Sequence, residues 1–305
     1  MFRGYPLVCG LSLWALLGPG SRPAEAWPAT TDDRRAVEVV RSYDVSYAHV
    51  GDQDLKLDLV RPKQGNGPFP VIVVIHGGAW RAGDKAQHRD LLDRFASHGY
   101  VAVSPQYRFC PKEIFPAQVL DVKAAVRWLK THAAEYQIDP ARIGSMGFSA
   151  GGHLALMLGL TDADDGLDRD DVPADAPTTQ VQAVVNYFGP TDLAANDIPA
   201  ISRPLLRDFL GGSAEEKPEL AQQASPLKYV TSDDPPVLTF QGTRDPLVPY
   251  SQALKLADAI TSVQGKGRVE LLLGGGHGND WGTPEIERTF EQTLAFFDSI
   301  LKKQP

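Results

Sequence analysis

Gly147-Phe148-Ser149-Ala150-Gly151 places a serine hydroxyl between two glycines in the pattern G-x-S-x-G. Glycines there allow a turn that side chains would crowd, so Ser149 can be held strained with its hydroxyl exposed. A serine hydroxyl is a weak nucleophile near neutral pH and needs a base, together with a group that orients the base. Downstream of Ser149 stand two histidines, His153 and His277. His153 follows the serine by one helical turn, a position suited to packing beneath it. His277 sits in the glycine loop LLLGGGHGNDW and is the candidate base. Between serine and base, Asp245 in VLTFQGTRDPLVPY follows a strand end by a short loop and is the candidate acid. Asp192 in YFGPTDL is its rival, otherwise a turn or cap residue. The order serine, acid, histidine fits attack on an acyl carbonyl, with Asp245 fixing the ring tautomer and stabilising the imidazolium.

A second glycine turn, His76-Gly77-Gly78-Ala79-Trp80, ends an apolar run. The backbone N–H groups of Gly78 and Ala79, with that of Ala150, are the candidate oxyanion hole, and Gly77 serves the turn. Trp80 and Trp281 flank these loops and either stack on a substrate ring or pack the loops themselves.

These parts need a scaffold that brings distant loops together. Residues 43–60 alternate around Gly51-Asp52 and predict an antiparallel hairpin. PVIVVIHGG, from Pro70, is continuously apolar and predicts a strand buried on both faces. Strands are then expected from Tyr100, Arg142, Val181, Pro236 and Arg268, and helices over 85–97, from Ala117, after Ser149, over 251–262 and over 284–301. The alternation predicts one doubly wound α/β domain with a mostly parallel sheet. Residues 191–235 interrupt it, and an insertion above strand ends is expected to act as a lid over the crevice.

With 43% apolar residues the chain can build a large core. Residues 1–26 carry Arg3, an apolar run from Leu7 to Leu17 and the small-x-small ending Ala24-Glu25-Ala26, which predicts a cleaved signal peptide and a secreted or periplasmic protein. The run is too short to cross a bilayer, so no stable membrane anchoring is expected. Its removal takes Arg3, Arg22 and Glu25 from the 30 basic and 38 acidic side chains, leaving 28 against 37. That acidity argues against nucleic acid as a partner. Cys110 is then the one thiol of the mature 27–305 domain. Asp162-x-Asp164 resembles the start of a calcium loop, but Gly166 and Leu167 stand where a ligand and a glycine are required, so neither metal nor cofactor is expected.

HGGAW, YRFCPKEIFPAQVLDV, DPARIGSMGFSAGGHLA, GTRDPLVP and GGGHG together resemble the α/β-hydrolase serine esterases over about Tyr43 to Leu301. The similarity is greatest to the carboxylesterase groups that include hormone-sensitive-lipase-like enzymes and bacterial acetyl or feruloyl esterases. The resemblance implies an α/β-hydrolase fold, the triad Ser149, Asp245 and His277, and ester substrates that are small molecules or attached to polysaccharide. Ala79 departs from the third glycine that many relatives carry, a change expected to matter little because the backbone N–H does the work. An amide hydrolase of the arylformamidase or small-peptidase kind, or a non-catalytic binding protein, are the alternatives.

Overall fold

The computed structural model describes residues 38–169, 172–173 and 175–302, so the expected signal segment lies outside the described residues. In chain order the elements are β1 (Val39–Val50), β2 (Gln53–Pro62), β3 (Phe69–Ile75), α1 (Arg89–Ser97), β4 (Val101–Pro105), α2 (Ala117–Thr131), α3 (Ala133–Tyr136), β5 (Ile138–Phe148) and α4 (Ala150–Leu160). There follow β6 (Ala183–Tyr187), α5 (Arg203–Leu210), α6 (Pro218–Gln223), β7 (Val237–Gly242), α7 (Ser251–Ser262), β8 (Gly267–Leu272) and α8 (Thr283–Leu301).

Among the described residues, eight strands form one sheet in the order β1-β2-β4-β3-β5-β6-β7-β8. The hairpin β1–β2 and the β2–β4 pair are antiparallel, and every later pair is parallel. The alternation of β3 divides the core: Val71, Val73 and Ile75 join one apolar cluster with α2 and α4, while Ile72 and Val74 join the other with α1 and α8. Helix α4 is apolar on every side and almost wholly buried, as a helix at the centre of such a sandwich must be.

Strand order fixes where chemistry can occur. The chain leaves β3 for β4 on one side and returns to β5 on the other, so the loops after β3 and β5 part at a topological switch point, where α/β sheets open a crevice. HGGAW follows β3 and Ser149 follows β5.

Two elements begin differently from the sequence reading. β5 starts at Ile138, before Arg142, because Ile138 pairs with Phe69 across an irregularity in register. The stretch 85–97 begins as a 3-10 turn over Lys85–His88 before becoming α1. Strand β8 closes the sheet as a largely exposed edge, with Leu273 beyond it 89% exposed. The lid expected over 191–235 folds into α5 and α6 and is fastened at several points. Thr191 and Asp192 donate backbone N–H groups to Gln252 Oε1 on α7, at 2.9 and 2.7 Å. Ser202 Oγ donates to the Leu247 carbonyl, Phe115 N–H to the Phe209 carbonyl, and Arg81 pairs with Asp208.

Candidate active site

Ser149 occupies the turn between β5 and α4 at φ 54, ψ −120, a backbone conformation unfavourable for any side-chain-bearing residue. Its N–H donates to the Tyr187 carbonyl at the end of β6, and its carbonyl accepts from His153 N–H, so the turn is held from both sides. The flanking glycines are required by space. A Cβ on Gly147 would lie 2.2 Å from the Gly151 carbonyl oxygen, and one on Gly151 would lie 2.1 Å from that of Ile75. Gly151→Ala is therefore expected to lose about 3 kcal/mol of stability, since strand and helix backbones cannot both yield. Thermal melting checks this, and an unchanged Tm would contradict the packing at the elbow.

His277 reaches Ser149 because two later loops are laced together. Arg244 N–H donates to the Gly275 carbonyl at 2.8 Å, and Thr243 N–H donates to that of Leu272. A Cβ on Gly242 would meet the Gly276 carbonyl oxygen at 2.2 Å, so a glycine at the end of β7 lets the histidine loop pass. Asp280 then accepts the Gly276 N–H, while the Trp281 indole donates to the Gly276 carbonyl at 3.1 Å. Phe188, at φ 43, lays its ring 4.7 Å from the imidazole.

The result is a continuous relay. His277 Nε2 lies 2.8 Å from Ser149 Oγ, and Nδ1 lies 2.6 Å from Asp245 Oδ2. The carboxylate can only accept, which puts a proton on Nδ1 and leaves Nε2 to accept from the serine. The Asp245 side chain is fully buried, yet its oxygens are satisfied. Oδ1 accepts from the N–H groups of Leu247 and Val248 at 2.8 and 2.9 Å, and Oδ2 also accepts from Gln241 Nε2 at 3.1 Å. Asp192, the rival acid, instead pairs with Lys255 at 3.1 Å. Asp162, whose spacing suggested a calcium loop, caps a short 3-10 turn with Asp165.

Gly77, Gly78 and Ala79 lie beside the elbow. A Cβ on Gly77 would stand 2.8 Å from the Phe148 carbonyl oxygen and 3.4 Å from Ser149 Cβ, so Gly77 is a close-approach glycine rather than a turn glycine. The turn belongs to the next three residues, with φ values of 117, 53 and 57 at Gly78, Ala79 and Trp80, closed by Arg81 and Ala82 donating to the Gly78 carbonyl. Ala79 therefore carries left-handed strain of about 1 kcal/mol, a larger consequence of its methyl than the sequence suggests. Among the described residues, the backbone N–H groups of Gly78, Ala79 and Ala150 donate to no other backbone carbonyl.

Neither tryptophan offers a free ring. Trp80 is 5% exposed and stacks on Phe209 at 4.1 Å, with its edge contact to His153. Trp281 is 8% exposed and packs edge-on against Phe188 at 5.2 Å. Both brace loops, the second of the two roles that the sequence left open. Gln241, Phe188 and Asp280 were not singled out by the sequence. Each stands within four residues of a motif, and that adjacency is the one signal that could have found them.

Two buried imidazoles lie under the site. Burial lowers the pKa of His76 and of His153 to about 4 in each case, against the partly opposing backbone bonds to Gly77 and Ala224. In the unfolded chain both titrate near 6.5, so below that pH the unfolded state binds more protons than the folded one. Stability is thus present above about pH 6.5 and is lost as pH falls towards 4, by roughly 3 kcal/mol for each histidine. Urea unfolding at pH 7, 5.5 and 4.5 should show a falling midpoint; a flat one would contradict their neutral burial.

Sheet order and elbow together define an α/β-hydrolase fold. A family profile described as BD-FAE matches residues 57–260. Similar chains include "Probable carboxylic ester hydrolase LipM" of Mycobacterium tuberculosis, 33% identical over 269 residues, covering 81% of this chain and 61% of that protein. Among solved structures, a truncated carbohydrate esterase from gut microbiota superposes with a TM-score of 0.72 at 28% identity, covering 90% of this chain and 99% of the other. The propionate-bound esterase Est2 of Thermogutta terrifontis gives 0.70 at 25% identity, covering 88% and 97%. The chain belongs to the BD-FAE family. It spans about three fifths of LipM's length.

Proposed function

We propose that the protein hydrolyses carboxylic esters through an acyl-enzyme on Ser149. The observation that carries this reading is the unbroken relay from Asp245 Oδ2 through His277 to Ser149 Oγ, at 2.6 and 2.8 Å, on a strained elbow. His277 takes the serine proton as Oγ attacks the acyl carbon. Asp245 stabilises the imidazolium, and the amides of Gly78, Ala79 and Ala150 receive the oxyanion. The alcohol leaves with the proton from His277, and water repeats the sequence to release the acid. Esters suit this site better than amides because an alkoxide is the easier leaving group.

Short-chain or aryl acyl esters, including acetylated or feruloylated carbohydrate, are the proposed substrates. The carbohydrate esterase and the propionate-bound esterase among the similar structures support this range. Export through cleavage after Ala26 is part of the same reading, and a mature N-terminus at Trp27 is its readout. A kinetic panel of p-nitrophenyl esters of increasing acyl length, methyl ferulate, acetylated xylan and N-formylkynurenine tests the substrate class. The expected result is highest kcat/KM on short or aryl acyl esters; turnover of the formamide alone would replace the ester reading with amide hydrolysis.

A further inference from the structure

His153, fully buried one turn into α4, makes two hydrogen bonds in opposite directions. Its Nδ1 lies 3.2 Å from the Trp80 indole nitrogen, and its Nε2 lies 2.8 Å from the Ala224 carbonyl oxygen. An indole N–H only donates and a carbonyl only accepts, so a single neutral tautomer, with its proton on Nε2, satisfies both. The rings of Trp80, His153 and Phe209 form one cluster, with the imidazole edge-on to the other two.

The contact bears on the backbone of the HGGAW loop. Ala79 and Trp80 both sit in the left-handed region, where two consecutive residues with side chains are strained and persist only when their surroundings over-determine them. Trp80 supplies that determination. Its carbonyl accepts from Cys110 N–H at 2.9 Å, its ring is stacked on Phe209, and its indole N–H is fixed on His153. His153 belongs to the helix that starts at Ala150. One imidazole therefore links the two halves of the proposed oxyanion hole: Ala150 along its own helix, and Gly78 and Ala79 through Trp80. Its bond to Ala224, between α6 and β7, adds the insert to the same support.

We infer that His153 is a positioning residue that sets the oxyanion-binding amides of the HGGAW loop through its hydrogen bond to Trp80. The inference rests on the esterase reading of the site. Amides displaced by a few tenths of an ångström bind a neutral carbonyl almost as before but stabilise the developing oxyanion less, so the effect falls on kcat rather than KM.

Three variants separate this role from simple packing. His153→Phe keeps a ring and removes both hydrogen bonds. His153→Asn returns an acceptor near the position of Nδ1, and Trp80→Phe removes the indole donor while keeping a ring on Phe209. With p-nitrophenyl acetate, kcat for H153F is expected to fall about 10- to 100-fold with KM within about twofold, because a misplaced oxyanion donor acts in the transition state. H153N should recover most of the loss, W80F should match H153F, and the double variant H153F/W80F should be no slower than either single one. H153F or W80F retaining kcat within about threefold, H153N as slow as H153F, or losses that multiply in the double variant would each overturn the role. Should H153F fail to fold, W80F and H153N carry the same test. The phosphonylation rate of Ser149 by an alkyl fluorophosphonate uses the same amides without an ester. Slower labelling in the variants supports the role, and equal rates overturn it. A wild-type protein inert to every ester but labelled at Ser149 would instead reject the esterase reading alone.

Discussion

Ser149→Ala is expected to lower kcat for a p-nitrophenyl ester by at least about 10⁴-fold, because among the described residues no other hydroxyl reaches His277 Nε2 and the acyl-enzyme cannot form. The folded state should barely notice. Alanine meets the same backbone demand at φ 54 as serine does, and the side-chain bond lost is the single contact from Oγ to the imidazole. A Tm within about 2 °C of wild type therefore accompanies the loss, since a single small change at this site alters few packed atoms. Activity above about one per cent of wild type would place the nucleophile elsewhere.

Asp245→Asn should cost about 10³- to 10⁴-fold in kcat while leaving KM nearly unchanged, and the hydrogen bonds around the carboxylate explain why. Oδ1 faces the N–H groups of Leu247 and Val248, which demand an acceptor. An asparagine must keep its carbonyl there and turn its NH₂ towards His277 Nδ1. The imidazole proton then moves to Nε2, which becomes a donor towards Ser149 and can no longer act as its base. The same NH₂ also opposes Gln241 Nε2, now 3.1 Å from Oδ2, so Tm should fall as well. Steady-state kinetics and melting on one preparation check both parts. A kcat within tenfold of wild type would show that His277 works without this carboxylate.

The elements that were legible in the sequence were those encoded locally. Gly147 and Gly151 announce the elbow because the backbone there excludes a Cβ, and the continuous apolar run of β3 announces a strand buried on both faces. The order of Ser149, Asp245 and His277 along the chain matched the loops that the sheet brings together. Other features depend on contacts that no local pattern records. Trp80 reads equally as a substrate platform or a brace until Phe209, 129 positions later, is found stacked on it. The insert reads as a polar, proline-bearing excursion. Its tethers to Gln252, Leu247 and His153 lie in other elements, so a lid and a fastened wall look alike in the sequence. His153 was legible as a packing residue, but its two opposed hydrogen bonds were not, because both partners are more than 70 residues away.

The most direct test of the central claim is covalent capture of the nucleophile by diethyl p-nitrophenyl phosphate, followed by peptide mapping with mass spectrometry. One diethylphosphoryl group on Ser149, appearing in step with loss of esterase activity and absent from Asp245→Asn under the same brief exposure, is the predicted result. Full inactivation with Ser149 unmodified, or undiminished turnover by a protein fully labelled there, would contradict it.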